Sequence, residues 1–415
     1  MKKNKKIVIT GVGVVTSNGI GKKAFWKSLG KGASGIKKVS LFDTQQLSCH
    51  HAGEIENFDP VPFLGEKGLR TLDRTTKIVN VAAKLAIDDA RLEINESNTD
   101  EVGVVLGTTL GSVYSISEFD KTALVEGPRS VNPALFPNTV INSPASQISI
   151  RFGIKGFNTT IATGFTASLD ALRYACDFIK LGRAKAVVVG GVEELCIQTY
   201  LGFYKLKFLA ASRNGGSLEL SCPFDRRRNG IVFGEGAAMV VIEDLESAQE
   251  RKADIYAEIA SFGSYFDPFR INKYNRLGPG IRAAMRFALQ NARLKPRDVD
   301  YICANANSTQ EADLIEAEAI KDVFDKEARA VPVSSVKSMV GESFSASGAL
   351  SLAASVGALR ESFIPPTINF KEADQGCDLD VVPNKARKAA LKNILINTFG
   401  PSGTNTCCVV RKFCN

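Results

Sequence analysis

The chain alternates two kinds of segment. Short apolar runs rich in β-branched residues occur at 7–10, 102–106, 186–189, 237–242, 301–304, 331–333, 393–398 and 406–410. Several are apolar throughout instead of alternating, which predicts strands buried on both faces. Between them, apolar positions recur at helical spacing over 75–91, 166–180, 280–293, 311–324 and 345–359. Strands interleaved with helices in this way predict an α/β fold. A short echo runs through the pattern. Ala90-Arg91-Leu92 closes a helix and leads through a polar linker to the run at 102–106, and Ala292-Arg293-Leu294 does the same before 301–304. With the strand spacing, the echo predicts two similar α/β halves of about two hundred residues each. The charged stretch at 247–254 places the division between residues 1–252 and 253–415.

Composition narrows the reading. With 44% hydrophobic and 23% charged residues in 415, wholesale disorder is excluded. No apolar run reaches the ~18 residues of a membrane helix. The stretch at 7–13 after the lysine-rich start is too short for a signal peptide, so a cytoplasmic protein is expected. The net charge is +8, with clusters at residues 2–6 and at Arg226-Arg227-Arg228. Neither is interleaved with aromatics as a nucleic-acid platform would be. They predict a solvated tail and a structural loop, and the overall positive charge suits an acidic protein partner.

Nine cysteines without short regular spacing predict buried free thiols, not a disulfide framework. The two histidines, His50 and His51, follow Cys49; such a run could ligand a metal, but no second cluster lies nearby in sequence, and no metal site is expected. Gly11, Gly13 and Gly19 suggest a dinucleotide loop, yet Thr16 stands where the third glycine of G-x-G-x-x-G belongs, so no such cofactor is expected.

Four segments carry the chemistry. They are Thr163-Gly164-Phe165-Thr166-Ala167-Ser168, then Cys222-Pro223-Phe224-Asp225 with Gly234-Glu235-Gly236, then Cys303-Ala304-Asn305-Ala306-Asn307-Ser308-Thr309, and Lys337-Ser338-Met339-Val340-Gly341-Glu342. A coda reads Phe399-Gly400-Pro401-Ser402-Gly403-Thr404-Asn405. In order and spacing the whole chain resembles the β-ketoacyl-acyl-carrier-protein synthases of the thiolase superfamily. The resemblance implies a five-layer αβαβα sandwich of two similar halves. It also implies catalysis by a cysteine that takes the acyl chain as a thioester, two histidines that assist decarboxylation and backbone N–H groups that hold the oxyanion.

This chain departs from that pattern at each catalytic position. The cysteine of the family falls on Phe165, the first histidine on Asn305 and the second on Glu342, whereas the lysine of the K-S-x-x-G-H motif is retained as Lys337. The second phenylalanine of the coda, which supplies an oxyanion N–H, falls on Pro401, and proline has none. Loss of one such donor costs roughly 3–4 kcal/mol of barrier. Cys176 lies three helical turns beyond Phe165 and Cys303 on a strand, and both are expected to pack in the core.

A folded but disarmed synthase resembles the chain-length factor of type II polyketide synthases. The Leu169-Asp170-Ala171-Leu172 stretch resembles that subfamily more than the fatty-acid enzymes. The resemblance implies a non-catalytic subunit that pairs with an active ketosynthase, meets an acyl carrier protein and helps shape the acyl tunnel. It places Ser112, Ser115 and Phe119 on the tunnel-facing side of a helix after residues 107–111, and residues 159–162 at the subunit interface. The competing expectations are an enzyme with relocated acyltransferase or malonyl-decarboxylase chemistry, using Thr166, Ser168 or Cys303, and a stand-alone acyl-binding scaffold.

Overall fold

The computed structural model describes residues 5–211 and 219–414. Its architecture rests on ten strands: β1 (Ile7–Thr16), β2 (Val102–Gly107), β3 (Asn158–Ile161), β4 (Ala186–Glu193), β5 (Gly236–Asp244), β6 (Ala257–Phe266), β7 (Tyr301–Cys303), β8 (Pro332–Ser334), β9 (Asn393–Phe399) and β10 (Thr404–Lys412). Seven helices matter for the site: α1 (Arg74–Ala90), α2 (Val113–Val125), α3 (Ser143–Phe152), α4 (Ala167–Lys180), α5 (Pro279–Ala292), α6 (Gln310–Phe324) and α7 (Ser347–Glu361).

The halves repeat one another strand for strand. The first runs β3-β2-β4-β5-β1 across the sheet and the second β8-β7-β9-β10-β6. In both, the two pairings nearest the outer edge are parallel and the next two antiparallel. Even the bulge recurs, between Ile9 and Gly11 in β1 and between Ile259 and Ser261 in β6. β1 and β6 then pair antiparallel, Ile7 opposite Ile259, and join the halves into one sheet. The Ala-Arg-Leu echo marks the same helix stop twice. Arg91 and Arg293 both take left-handed backbone, and the next leucine donates its N–H back to Ile87 or Leu289. This is the paired hydrogen bonding of a Schellman cap.

The layers follow from which helix faces are apolar. Helices α1 and α3 cover the outer face of the first half, and α5 and α6 that of the second. Helices α4 and α7 lie between the sheets, in the largest apolar cluster. Every residue of α7 from Ser347 to Leu359 is buried, as a helix flanked on all sides requires. This is the five-layer αβαβα arrangement.

Several elements differ from the sequence reading. β1 continues six residues past Thr10, because Gly11 and Gly13 are strand residues lying under α1. A Cβ on Gly13 would stand 2.0 Å from the Ala82 carbonyl oxygen; one on Gly263 would stand 2.0 Å from that of Ala284 under α5. The glycines that resembled a dinucleotide loop thus serve close helix-on-sheet packing. β6 escaped the apolar pattern because three of its four buried positions, Ala257, Ser261 and Gly263, are small. Of the basic clusters, Arg228 is buried against Asp374 and Asp313 and Arg227 pairs with Asp225, a structural loop, while residues 2–4 lie outside the described residues. The cysteines are free thiols, all buried except Cys414. No helix among the described residues is long and apolar enough to cross a membrane.

Because the Ala82 carbonyl leaves no room, Gly13→Val is expected to destabilise the protein by about 3 kcal/mol, at the upper end of overpacking costs. The shift of the urea midpoint at unchanged slope measures it.

Candidate functional site

The site forms where the N-terminal turns of α4 and α7 meet. β2 ends at Gly107, and a Cβ there would strike the Ala167 and Ser168 backbone within 2.7 Å, so α4 begins hard against the strand end. Ser168 Oγ accepts the Ala349 N–H at 2.9 Å and so fastens α4 to α7. The single turn Gly164–Thr166 places Phe165 at this junction.

Phe165 is buried, and its ring does not point into an open chamber. It packs edge-on against Phe344 with centroids 5.1 Å apart, and against Gly400. Phe344 stacks on Phe203 at 4.3 Å and meets Phe233 at 4.7 Å. Phe233 contacts Tyr200, and Tyr200 contacts Phe42. Phe344 holds a φ of 47°, an unusual backbone for an aromatic residue. The ring that replaces the expected nucleophile is thus one end of a continuous aromatic cluster.

The structure brings Asn305, Lys337 and Glu342 together as expected. Lys337 Nζ donates to Asn305 Oδ1 at 2.9 Å and to Glu342 Oε2 at 2.8 Å. The same carboxylate accepts from Asn307 Nδ2 at 3.0 Å, Ser347 Oγ at 2.5 Å and the Phe344 N–H at 2.9 Å. Lys337 and Glu342 are both almost fully buried. Glu342 is one half of a buried, fully bonded ion pair, with no lone pair left for a substrate. Asn307, Ser347 and Phe344 were missed, since nothing in the sequence marks them as ligands of a carboxylate. Asn305 Nδ2 is buried without a partner. Asn305 and Ala306 give their N–H groups to Glu316 at 2.9 and 2.7 Å, which fixes that turn.

Pro401 is buried in the turn that closes β9 on β10, where Gly403 donates to the Gly400 carbonyl at 3.2 Å. Its own carbonyl accepts the Lys273 N–H at 3.0 Å. The residues considered for relocated chemistry are each committed to structure. Thr166 Oγ1 donates to Asp170 at 2.8 Å, Ser168 joins the two helices, and burial raises the pKa of the Cys303 thiol. A thiol held protonated is a poor nucleophile. Cys176 is packed in the core, its thiol pushed up by burial to about 12.

Of the three helix residues, Ser112 is buried at the N-cap of α2 with no side-chain cap bond, Phe119 packs on Phe136 with centroids 6.0 Å apart, and Ser115 lines a cavity of about 370 Å³. α2 begins at Val113, and the Ser112 carbonyl accepts its first helical bond, from the Ile116 N–H at 3.1 Å. His50 and His51 both lean on the buried Glu219 carboxylate, His51 Nδ1 at 2.8 Å, a partner the sequence did not reveal.

Buried carboxyls surround the junction. Burial pushes Glu193, Glu194 and Glu316 up to about 7 and Asp313 to about 6. An acid whose folded pKa exceeds its unfolded value binds more protons when folded, so stability falls as pH rises from the unfolded value of ~4 toward 7. The melting temperature is therefore expected to be higher at pH 5.5 than at pH 8. Glu316→Gln should flatten part of that slope; scanning calorimetry across the range checks both.

Comparison with known proteins agrees with this geometry. Residues 4–248 match the family described as Beta-ketoacyl synthase, N-terminal domain, and residues 256–371 match Beta-ketoacyl synthase, C-terminal domain. The chain is 38% identical over 401 residues to the 3-oxoacyl-[acyl-carrier-protein] synthase 2 of Coxiella burnetii, covering 97% of each chain. It is 36% identical to the protein of that name from Staphylococcus aureus strain COL, covering 100% of each. Among solved structures it is similar to the ishigamide ketosynthase/chain length factor, with a TM-score of 0.92 and 30% identity over 99% of this chain and 100% of that one. It is also similar to a chain of a type II PKS acyl-carrier protein in complex with its ketosynthase, with a TM-score of 0.91 and 27% identity over 99% of this chain and 100% of that one. With the family matched across both halves and curated relatives aligned end to end, the chain belongs to the β-ketoacyl synthase family and has its thiolase-like fold.

Proposed function

We propose that this chain is a non-catalytic subunit of the chain-length-factor kind, acting beside a cysteine-bearing ketosynthase in type II polyketide synthesis. One observation carries the reading. The nucleophile's position holds Phe165, and its ring is packed into the aromatic cluster. The remaining catalytic positions support it. Glu342 is neutralised by Lys337, Asn305 can offer only an amide, and Pro401 has no N–H. The synthases among its relatives are named for an activity that, in this family's pattern, uses the groups absent here. The same scaffold carries the ketosynthase/chain length factor pair to which this chain is similar.

Pairing is supported by the edge of the sheet. β3 ends the strand order, so one side of its backbone has no strand partner among the described residues. The segment leading into it exposes Leu124, Val125, Phe136 and Ile150, the first at 86%. An unpaired edge beside exposed apolar side chains suits a large permanent interface, of ~2,000–5,000 Å² in obligate complexes. The division at residue 252 belongs to the same reading, each half supplying one of the two buried helices. The net charge of +8 suits an acidic acyl carrier protein as the second partner. Ser112, Ser115 and Phe119 are assigned to the wall that limits chain growth.

Incubated alone with acyl-carrier thioesters, the chain should acquire no thioester adduct by intact-mass spectrometry. Phe165→Cys should still give no measurable condensation, because the histidines and one oxyanion donor remain absent. Turnover by that single variant would overturn the reading. Co-expressed with a cysteine-bearing ketosynthase, the chain should sediment as a 1:1 complex; a stable monomer indifferent to ketosynthases would contradict it. In the complex, Ser115→Trp should shorten the product and Phe119→Ala should broaden its size distribution, read by product mass.

A further inference from the structure

The segment 266–277, which leads from the end of β6 to α5, puts four large apolar side chains into solvent. Phe266, Phe269, Ile271 and Leu277 are between 50% and 83% exposed. Tyr265 and Phe287, both exposed with ring centroids 6.5 Å apart, extend the apolar surface back onto β6 and α5. The segment does not need these side chains for its own hold. The Asp267 N–H donates to the Gly403 carbonyl at 2.7 Å and the Lys273 N–H to that of Pro401 at 3.0 Å. Arg270 and Lys273 pair through an antiparallel bridge. Tyr274 is the buried anchor, edge-on to Phe399 with centroids 5.8 Å apart. With the backbone tied and one ring buried beneath it, the other large side chains are left outside. Apolar surface exposed in such a cluster marks a contact site.

The same segment carries three cations, Arg270, Lys273 and Arg276, and one acid. The acid, Asp267, accepts Asn275 Nδ2 at 3.4 Å. Arg276 pairs with Glu311 at 3.7 Å. Arg270 lies over the Phe269 ring, 5.9 Å from its centroid, and neither it nor Lys273 makes an ion pair among the described residues. Apolar side chains interleaved with uncommitted cations match a layer that is anionic at its surface and apolar beneath. The hollow that Phe269 and Lys273 share with Asn275 and Gly400 holds only about 20 Å³, room for one water, so no side chain of a partner protein inserts there. A lipid headgroup layer needs no such pocket, because it closes around whatever enters it. No helix among the described residues is long and apolar enough to cross a bilayer, so the contact is peripheral.

We propose that residues 266–277 seat the chain on an anionic lipid surface. Phe269, Ile271 and Leu277 enter the boundary between headgroups and acyl chains, and Arg270 and Lys273 meet lipid phosphates. The inference stands apart from the subunit reading, because the contact needs neither β3 with its flanking side chains nor any catalytic group.

The test is co-sedimentation of the full chain with vesicles of phosphatidylcholine alone and with about 30% phosphatidylglycerol. Affinity for the mixed vesicles should be higher by about tenfold and should fall as salt rises. The double variant Phe269→Ser, Ile271→Ser should weaken it about tenfold and Lys273→Glu about fivefold. Leu277→Ser and Arg270→Glu replace them should either fail to fold by circular dichroism. Leu124→Ser, beside β3, should leave binding unchanged. Trp26, the single tryptophan, is buried, so Ile271→Trp gives a second readout: its emission should shift to the blue on mixed vesicles alone. Absence of binding to mixed vesicles would overturn the proposal. So would binding indifferent to the apolar and charge variants, or lost in Leu124→Ser. Variants in 266–277 that release an acyl carrier protein, with no vesicle binding by the parent chain, would make the segment a protein-docking surface and overturn it too. A 1:1 ketosynthase complex that forms without vesicle binding would remove this inference and leave the subunit reading standing.

Discussion

The N-terminal turns of α4 and α7 are pressed together between the two halves of the sheet, and most of what the molecule can do follows from that contact. The approach is possible only because small residues line it. A Cβ on Gly348 would lie 2.8 Å from both Leu169 and the Ser168 hydroxyl, and one on Gly191 would strike Ser168 and the Ser345 carbonyl. The Ser168-to-Ala349 hydrogen bond then fixes the register of the pair. With the helices locked, the residues at their tips, Phe165 and Phe344, have no freedom to avoid each other. Whatever occupies those two positions decides whether the junction is a chamber or a plug.

In this chain it is a plug, and the residues at the positions where the resemblance puts catalytic groups are bound into the structure. A phenylalanine fills the space with carbon, where a thiol would have faced reactants. Glu342 would be costly alone in so dry a place. It survives because Lys337, Asn307, Ser347 and a backbone N–H saturate it. Removing Glu342 would strand a buried ammonium, so the pair is kept for packing reasons whether or not any substrate ever reaches it. The unmatched Asn305 amide is the exception, a buried donor left without a partner.

Much of this was legible in the sequence for identifiable reasons. Strands buried on both faces announce themselves as continuous apolar runs, and the Ala-Arg-Leu stops revealed the repeat because both helices end with the same cap. The altered motif positions could be placed because the spacing around them is intact. The failures are equally physical. β6 was silent because its buried face must accommodate α5 and so carries alanine, serine and glycine, which have no apolar signature. The ligands of Glu342 were invisible because two are ordinary polar side chains and one is a backbone N–H. The start of α2 at Val113, with Ser112 at its N-cap, is a boundary that periodicity does not fix.

The antiparallel joint between β1 and β6 has a consequence for how the chain is made. Residues 7–9 wait for residues 257–259 before the sheet is continuous, and α4, which covers the inner face of the first half, waits still longer for its neighbour α7. During synthesis the first half therefore leaves the ribosome with the α7-facing side of α4 uncovered and one sheet margin unpaired. Contacts so distant in sequence form slowly, and half-covered layers of this kind are where association with the wrong surface begins. For a nascent chain in that state, the second half is what shelters the first.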